Sequence, residues 1–565
     1  MHDETEVLII GAGPVGLSGA LALGRAGIRC LVLERREEFS RYPKANGIYA
    51  RTMEIFREWG VADLVRAANT DMPDKVTIVW RTRMSGIEFG NISLSDTEEA
   101  RRFFYAQSPE LMSTAGQHMF EPVLARVAGD LDNVTIRLGT EVVGLTVGDD
   151  GVTAEYTDPA GTRGKVSARY VIGADGVRSI VRGSLGIGEH GQESLGTAIN
   201  VQFKADLDRY LHGRAIPLVW VANKDTQGAF IRDSPTRWRY NFEIPPGADP
   251  EGVGRERCEW EIRQAIGDDD VPIEILYTWS WTHDLAVADT WRRGRAFLVG
   301  DAAHHFPPHG GFGLNSGIQD VHNLAWKLVA RLRWNAGDRL LESYEPERLP
   351  VAESNGAQMM HNTRKMEETG FLLQDKVFLA ALEEETDEGQ QARDAMAAGV
   401  KEQHAILANH GQQFGYQYES PAVMPDGSEI VESSIAEYRA TARPGARAPH
   451  SWVKSDSSVI STIDVYDGGF VLFTGPDNSA WSLAADRVRD ELKVPIKSLA
   501  FGRDLLPVEE DLADLLDRYG LTATGAVLAR PDGFVGLRAA AALGEDEYAQ
   551  LLSALTQILD LDGAK

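Results

Sequence analysis

The first residues whose types and spacing imply chemistry are Gly11-Ala-Gly13-Pro14-Val-Gly16. An apolar run over 7–10 precedes them, and an alanine- and leucine-rich stretch that stops at Gly27 follows. A second apolar run over 30–33 then ends in Glu34. This strand, glycine turn, helix, strand and acid order predicts a dinucleotide-binding unit. Gly11 permits the tight turn, Gly13 lets the backbone approach a pyrophosphate, and Gly16 lets helix and strand pack closely. Helix N-terminal amides face the phosphates, and Glu34 accepts from a ribose hydroxyl. The motif alone does not choose between NAD and FAD.

Two more strand-to-helix junctions lie far downstream. Tyr170-Val-Ile-Gly-Ala-Asp175-Gly176 leads into Arg178 and Ser179. An Asp in such a turn either caps the next helix or meets a ligand, and the turn does not choose. Arg295-Ala-Phe-Leu-Val-Gly300-Asp301 ends a third apolar run. There Asp301 occupies the usual ligand position of an open parallel sheet and suits a ribose or ribityl hydroxyl. Beyond it the chain reads Phe306-Pro307-Pro308-His309-Gly310-Gly311-Phe312-Gly313-Leu314-Asn315-Ser316. Prolines stiffen this loop, and glycines let backbone amides approach something flat or anionic. Ser316 to Gln319 has capping-box form. The following helix places Ile318, Val321, Leu324, Ala325, Leu328 and Leu332 on one apolar face.

In that order, the three motifs resemble the class A FAD-dependent aromatic hydroxylases, as do Glu34-Arg35, the segment 43–56 and the helix start at Gln117. Total length and the segment 442–450 look most like the phenol hydroxylase branch, which includes chlorophenol hydroxylases and hydroxylases of aromatic polyketides. The resemblance implies an α/β fold: a Rossmann-type FAD domain, a β-sheet substrate domain and a thioredoxin-like C-terminal domain. It implies that Gly11, Gly13, Pro14, Gly16, Glu34 and Arg35 hold the ADP half of FAD. Lys44, Arg51 and Gln117 would meet its phosphates or ribityl chain, and Asp301, after Gly300, its ribityl hydroxyls. Pro307, Pro308, Gly311, Gly313, Leu314 and Asn315 would line the isoalloxazine, while Asp175 and Arg178 belong to a motif tied to FAD and NAD(P)H. The implied reaction is NADPH- or NADH-dependent and uses O2. A flavin C4a-hydroperoxide would hydroxylate a phenolic or polycyclic ring.

The catalytic candidates are His309, Pro307 and Asn46. A histidine beside the flavin loop has a suitable pKa range for deprotonating a phenol. Asn46 stands where some phenol hydroxylases carry Asp, and an amide cannot be a base. Same-scaffold alternatives are an oxidase, an epoxidase or a halogenase, although Trp279-Ser-Trp281-Thr-His-Asp284 lacks the Ile-Pro of the halogenase signature. A non-catalytic flavin-binding protein is the alternative outside enzymes.

These motifs need elements to hold them. The predicted FAD domain is discontinuous, over 1–75, 106–182 and 286–400. Segments 76–105 and 183–285 read as the substrate sheet, with alternating aromatic and polar residues. Trp220, Phe230, Tyr240 and Trp279 are its candidate pocket wall. Residues 363–412 read as solvated helices and the acidic run 383–388 as a solvated face. Segment 401–440 connects, the cluster 443–449 reads as a linker, and 441–565 forms the C-terminal domain. That domain contains no cysteine, which excludes dithiol chemistry there.

Composition sets the outer limits. At 565 residues the chain exceeds a single core. Its net charge of −27 disfavours nucleic acid and anionic lipid. Two cysteines, Cys30 and Cys258, provide neither a disulfide framework nor a thiol metal site, and fit a reducing cytoplasm. The expected partners are a small aromatic substrate and a further copy of the chain, as a dimer or higher oligomer, with no metal and no membrane.

Overall fold

In the computed structural model, the described residues are 2–68, 77–93, 98–245, 247–308, 310–368, 375–403, 408–477, 479–541 and 546–564. Five parallel strands form the spine of the first sheet, in the order Ala296–Leu298, Arg163–Gly173, His2–Ile10, Cys30–Leu33 and Val134–Arg137. Parallel strands covered on both faces are apolar throughout, and Cys30–Leu33 is buried at every position. Helix Pro14–Arg25 packs against this sheet with proline in its first turn. At Gly19 an added Cβ would lie 3.5 Å from Val321, so the small residue lets the helix Phe312–Arg333 lie close.

The second sheet has eight strands. Its order is His304–His305, Glu274–Ala288, Glu189–Lys204, Arg237–Ile244, Gln227–Ser234, Leu218–Ala222, Thr77–Arg81 and Glu88–Ser93. Four of its strands, Glu189–Lys204, Leu218–Ala222, Gln227–Ser234 and Arg237–Ile244, lie wholly within the segment 183–285. Strand Glu274–Ala288 runs through the expected domain boundary at 285/286, and helix Asp387–Glu402 runs through the one at 400/401. Val201, Phe203, Phe230, Trp238 and Tyr240 point to one face and share a core with Cys258, Ile262 and Ala265 of helix Arg255–Ile266.

The C-terminal sheet runs Ile496–Ala500, Phe470–Thr474, Ala526–Ala529, Val535–Ala539. The first pair is parallel and the rest antiparallel, with helices Ser479–Leu492 and Glu547–Ile558 packed into one core. This is thioredoxin-like topology.

Three local expectations change. The flavin-loop helix starts at Phe312, because Gly311 adopts φ +68° and buried Phe312 begins the first turn; Ser316 therefore lies inside the helix and caps nothing. The cluster 443–449 is a packed seam, with Arg447 buried against Glu54 (Nε to Oε2 3.0 Å). Glu383 leaves the solvated acidic run to pair with Arg83 (Nη2 to Oε2 3.0 Å).

Candidate flavin and substrate site

The three motif turns meet at the carboxyl ends of three adjacent parallel strands. Ala174 N–H donates to Ile10 O at 2.8 Å, and Val299 N–H to Gly173 O at 3.0 Å. The contact leaves no room for side chains. Gly11 has φ +103°, and a Cβ there would fall 2.3 Å from Ala174 O. A Cβ on Gly16 would fall 2.0 Å from Gly11 O, and one on Gly317 2.9 Å from Gly300 Cα. Arg182, three residues after Ser179 at the end of the second motif, ties the turns together by donating to Ala302 O (3.0 Å) and Val177 O (2.7 Å).

Gly13 differs from its neighbours. Apart from its chain neighbours, no described residue has an atom within 4 Å of its absent Cβ, and it caps helix Pro14–Arg25 without a side-chain bond. Backbone amides thus open onto free space, as a pyrophosphate requires. Asp301 is exposed and makes no hydrogen bond among the described residues, and its Oδ1 lies 3.9 Å from the Cβ position of Gly313. The open helix start and open carboxylate, at the ends of the two strands that flank Arg163–Gly173, fit the phosphate and hydroxyl groups of FAD.

Glu34 is buried at the end of its strand. Its Oε2 accepts from Ala12 N–H (2.8 Å) and its Oε1 from Arg36 Nε (2.9 Å). Burial raises the carboxyl, but these bonds outweigh it and hold the group below its ordinary range. Arg36, rather than Arg35, is the paired cation; Arg35 and Lys44 are exposed and unpaired among the described residues. Gln117 opens helix Gln117–Gly129, with its Nε2 donating to Glu121 Oε2 (2.7 Å).

Several expected contacts are redirected. Arg51 is buried, and its guanidinium donates to Glu54 Oε2 (3.0 Å) and Asp532 O (3.2 Å). It joins the FAD fold to the C-terminal domain and does not offer a free cation to phosphate. The Asn315 side chain is also consumed. Its Oδ1 accepts from Tyr49 N–H (2.8 Å) and Thr52 Oγ1 (2.7 Å), and its Nδ2 donates to Gly47 O (3.0 Å) and Gly311 O (2.8 Å). Asn315 therefore staples the loop and does not face a ring. Asp175 caps: Ser179 Oγ (2.5 Å) and Val181 N–H (3.1 Å) donate to it. Arg178 is exposed. Asn46 Oδ1 is buried without a partner, and the His309 assignment lies outside the described residues.

Behind the Gly300 turn sits a buried cluster with no single-motif signature. Asp320 accepts from Gly300 N–H (3.1 Å), His304 Nε2 (2.8 Å) and Arg348 Nε (2.9 Å). Burial alone would raise its carboxyl, but the His304 and Arg348 charges hold it below the usual range. Pro307 is buried; Pro308 and Gly311 are exposed; Gly313 and Leu314 are half-buried. Tyr49 hydroxyl donates to Gly310 O.

The second sheet covers this region with the face opposite the helix Arg255–Ile266. Phe230 and Tyr240 are fully buried in the helix-side core. Strand alternation thus turns them away from the site, and neither is pocket wall. Trp220 and Trp279 take the other parity. Trp279 lies 5.2 Å from Tyr42, while Trp220 packs on a cluster that also meets Met112. Met112 packs in turn against Tyr49, Phe312 and Met359 at the flavin loop.

The chain matches a family model described as "FAD binding domain" over residues 4–358. A second model, "Aromatic-ring hydroxylase, C-terminal", matches residues 441–561. The chain belongs to the FAD-dependent aromatic-ring hydroxylases. It is 36% identical to a tetracenomycin A2 monooxygenase-dioxygenase of Streptomyces glaucescens, covering 99% of this chain and 97% of that protein. It is 32% identical to a 2,4-dichlorophenol 6-monooxygenase of Cupriavidus pinatubonensis, covering 98% and 96%. Among solved structures, the flavin-dependent monooxygenase PieE in complex with FAD and substrate superposes with TM-score 0.90 at 32% identity, over 99% of both chains. The hydroxylase is accordingly a flavoprotein monooxygenase, with FAD as cofactor and NAD(P)H and O2 as co-substrates. Among the described residues no helix is long and apolar enough to cross a membrane.

Proposed function

We propose that this hydroxylase acts on a polycyclic phenol rather than on a single-ring one. One transverse row of the second sheet carries the reading. The register pairs Trp279 with Asn200, Asn200 with Asn241, Asn241 with Ala229, and Ala229 with Trp220. Directly paired residues share a face. Four inter-strand steps of about 4.8 Å separate the two indoles by roughly 19 Å. Between them lie two amides and one methyl. That is a long floor with aromatic ends, suited to a fused ring system bearing oxygens. The tetracenomycin relative acts on such a framework by its name, and the dichlorophenol relative on one ring.

Bound FAD, reduced by NAD(P)H, supplies the oxygen chemistry. The chain's own residues then have distinct tasks. Gly11, Gly13, Gly16 and Glu34 seat the ADP half, and Asp301 accepts from the ribityl chain. Residues 306–308 and 310–315, stapled by Asn315 and Tyr49, would line the flavin ring. The sheet face orients the substrate and excludes water. With the boundaries moved to the ends of the strand and helix that cross them, the proposed flavin unit comprises 1–75, 106–182 and 289–402, the substrate unit 76–105 and 183–288, and the C-terminal unit 441–565. A homo-oligomer in the cytoplasm completes the reading.

The test is NAD(P)H oxidation by the purified yellow protein with hydroxyanthraquinones, hydroxynaphthoquinones and chlorophenols. Stimulated oxidation with a polycyclic product heavier by one oxygen is expected. Turnover of chlorophenol alone, or a product that gains halide, overturns the proposal.

A further inference from the structure

We infer that Asn241 is the hydrogen-bond donor that receives the phenolic oxygen of the substrate, with Asn200 as its neighbour. The inference rests on the polycyclic-phenol reading above and names the group that recognises its oxygen.

The orientation of the Asn241 amide follows from its surroundings. Ala229 N–H donates to Asn241 Oδ1 at 3.0 Å. A backbone donor must meet oxygen, so Nδ2 is turned away from the Ala229 bond. The side chain is half-buried on the face opposite Tyr240 and Phe242, which point into the helix-side core. Its two remaining N–H groups make no hydrogen bond among the described residues. An amide fixed in this way turns its two donors toward the face and its bonded oxygen toward Ala229, and it therefore favours an acceptor such as a phenol, phenolate or keto oxygen.

Asn200 pairs directly with Asn241 across the strands and is buried. Directly opposed Cβ atoms lie about 5 Å apart, which places two amides side by side. No hydrogen bond occupies the Asn200 side chain among the described residues. The row from Trp279 to Trp220 contains no acid and no base. One pair further along the same face, Arg239 is buried, with its guanidinium donating to Pro43 O and Asp233 Oδ1 (3.5 Å). One pair further the other way, Glu243 and His283 stand 4.0 Å apart on the same face, so within the row itself the two amides are the polar groups that meet a ring oxygen. A neutral donor also favours the phenolate over the phenol, because hydrogen bonding to the charged form stabilises it.

The substitution Asn241→Asp isolates this role. Aspartate keeps an oxygen for Ala229 N–H and replaces the donor with a second acceptor. If Asn241 only held the strand, Asn241→Asp would behave as wild type. Binding of 1-hydroxyanthraquinone is followed by tryptophan fluorescence quenching, alongside kcat and KM. The expected result is unchanged flavin content and melting temperature, with dissociation constant and KM raised tenfold or more. Values within twofold of wild type overturn the assignment. If the variant does not fold, wild-type protein decides: it should bind 1-hydroxyanthracene at least tenfold more tightly than anthracene, and equal binding overturns the inference. Wild type that turns over 2,4-dichlorophenol but binds no polycyclic phenol defeats the substrate reading and the inference with it. Wild type that binds 1-hydroxyanthraquinone while Asn241→Asp is unchanged defeats the Asn241 assignment alone.

Discussion

Replacing Asp320 with asparagine tests whether the buried cluster behind the flavin turn holds that turn in place. The carboxylate is fully buried and serves three donors: Gly300 N–H, His304 Nε2 and Arg348 Nε. An amide has one oxygen, so Asp320→Asn places an N–H group against at least one of these donors. It also leaves Arg348 without its carboxylate. The remaining partners of Arg348, Tyr418 hydroxyl (3.2 Å) and Ser316 O (3.3 Å), are neutral. Breaking one side of a buried pair costs about 3–5 kcal/mol. Because Gly300 directly precedes Asp301, the displaced turn also carries the proposed ribityl contact away from its position. Each 1.4 kcal/mol of this displacement weakens FAD binding about tenfold. Urea unfolding followed by circular dichroism and by release of flavin fluorescence reads both effects. The expected outcome is a lower midpoint with an unchanged slope, and FAD released at lower urea than the fold is lost. A midpoint equivalent to less than about 0.5 kcal/mol from wild type would refute the reasoning.

Asp301→Ala should leave stability near wild type, since the exposed carboxylate bonds to nothing described, but should lower the ratio of flavin to protein absorbance after dialysis; full occupancy contradicts the assigned contact. Gly13→Val fills the open space before the first helix, so the purified variant should be colourless, and a fully yellow protein counts against phosphate docking there. His450 is buried, and its imidazole is pushed down to about 4, chiefly by burial. Between pH 6.5 and 4 the unfolded chain binds a proton that the fold refuses, so stability rises with pH across that window. The full effect is about 3 kcal/mol. His410 and His283 add the same sign, each pushed to about 4 by burial. His450→Gln should flatten the acid slope of the melting temperature, and parallel curves for the two proteins would exclude the assignment.

The flavin motifs were legible because their demands are local. Gly11 must adopt a positive φ, and Gly16 must lack a Cβ, whatever the rest of the chain does. Arg51 and Asn315 were not. Asp532 O and Gly47 O, which decide their roles, lie hundreds of residues away in sequence. The polar side of helix Phe312–Arg333 was likewise opaque. Lys327 looks like a solvent residue until Glu347 meets it at 2.8 Å, with Arg530 bonding the same carboxylate. A buried pair and a solvated face have the same amino-acid pattern, and only the partner distinguishes them.

The substrate face had a usable signal of a different kind. In Trp238-Arg-Tyr-Asn-Phe242 the aromatics occupy one parity and the polar residues the other. A helix covers one face of this strand, and the helix side takes the apolar set. Tyr240 therefore belongs to the core because it is flanked at i±2 by Trp238 and Phe242, and Asn241 belongs to the site because it is not. The same parity assigns Phe230 to the core beside Val201 and Phe203. Counting aromatics overvalues a pocket wall. Once the covered face is known, the out-of-phase polar residues are the ones left to meet a ligand, and for an oxygenated ring their chemistry is the more selective.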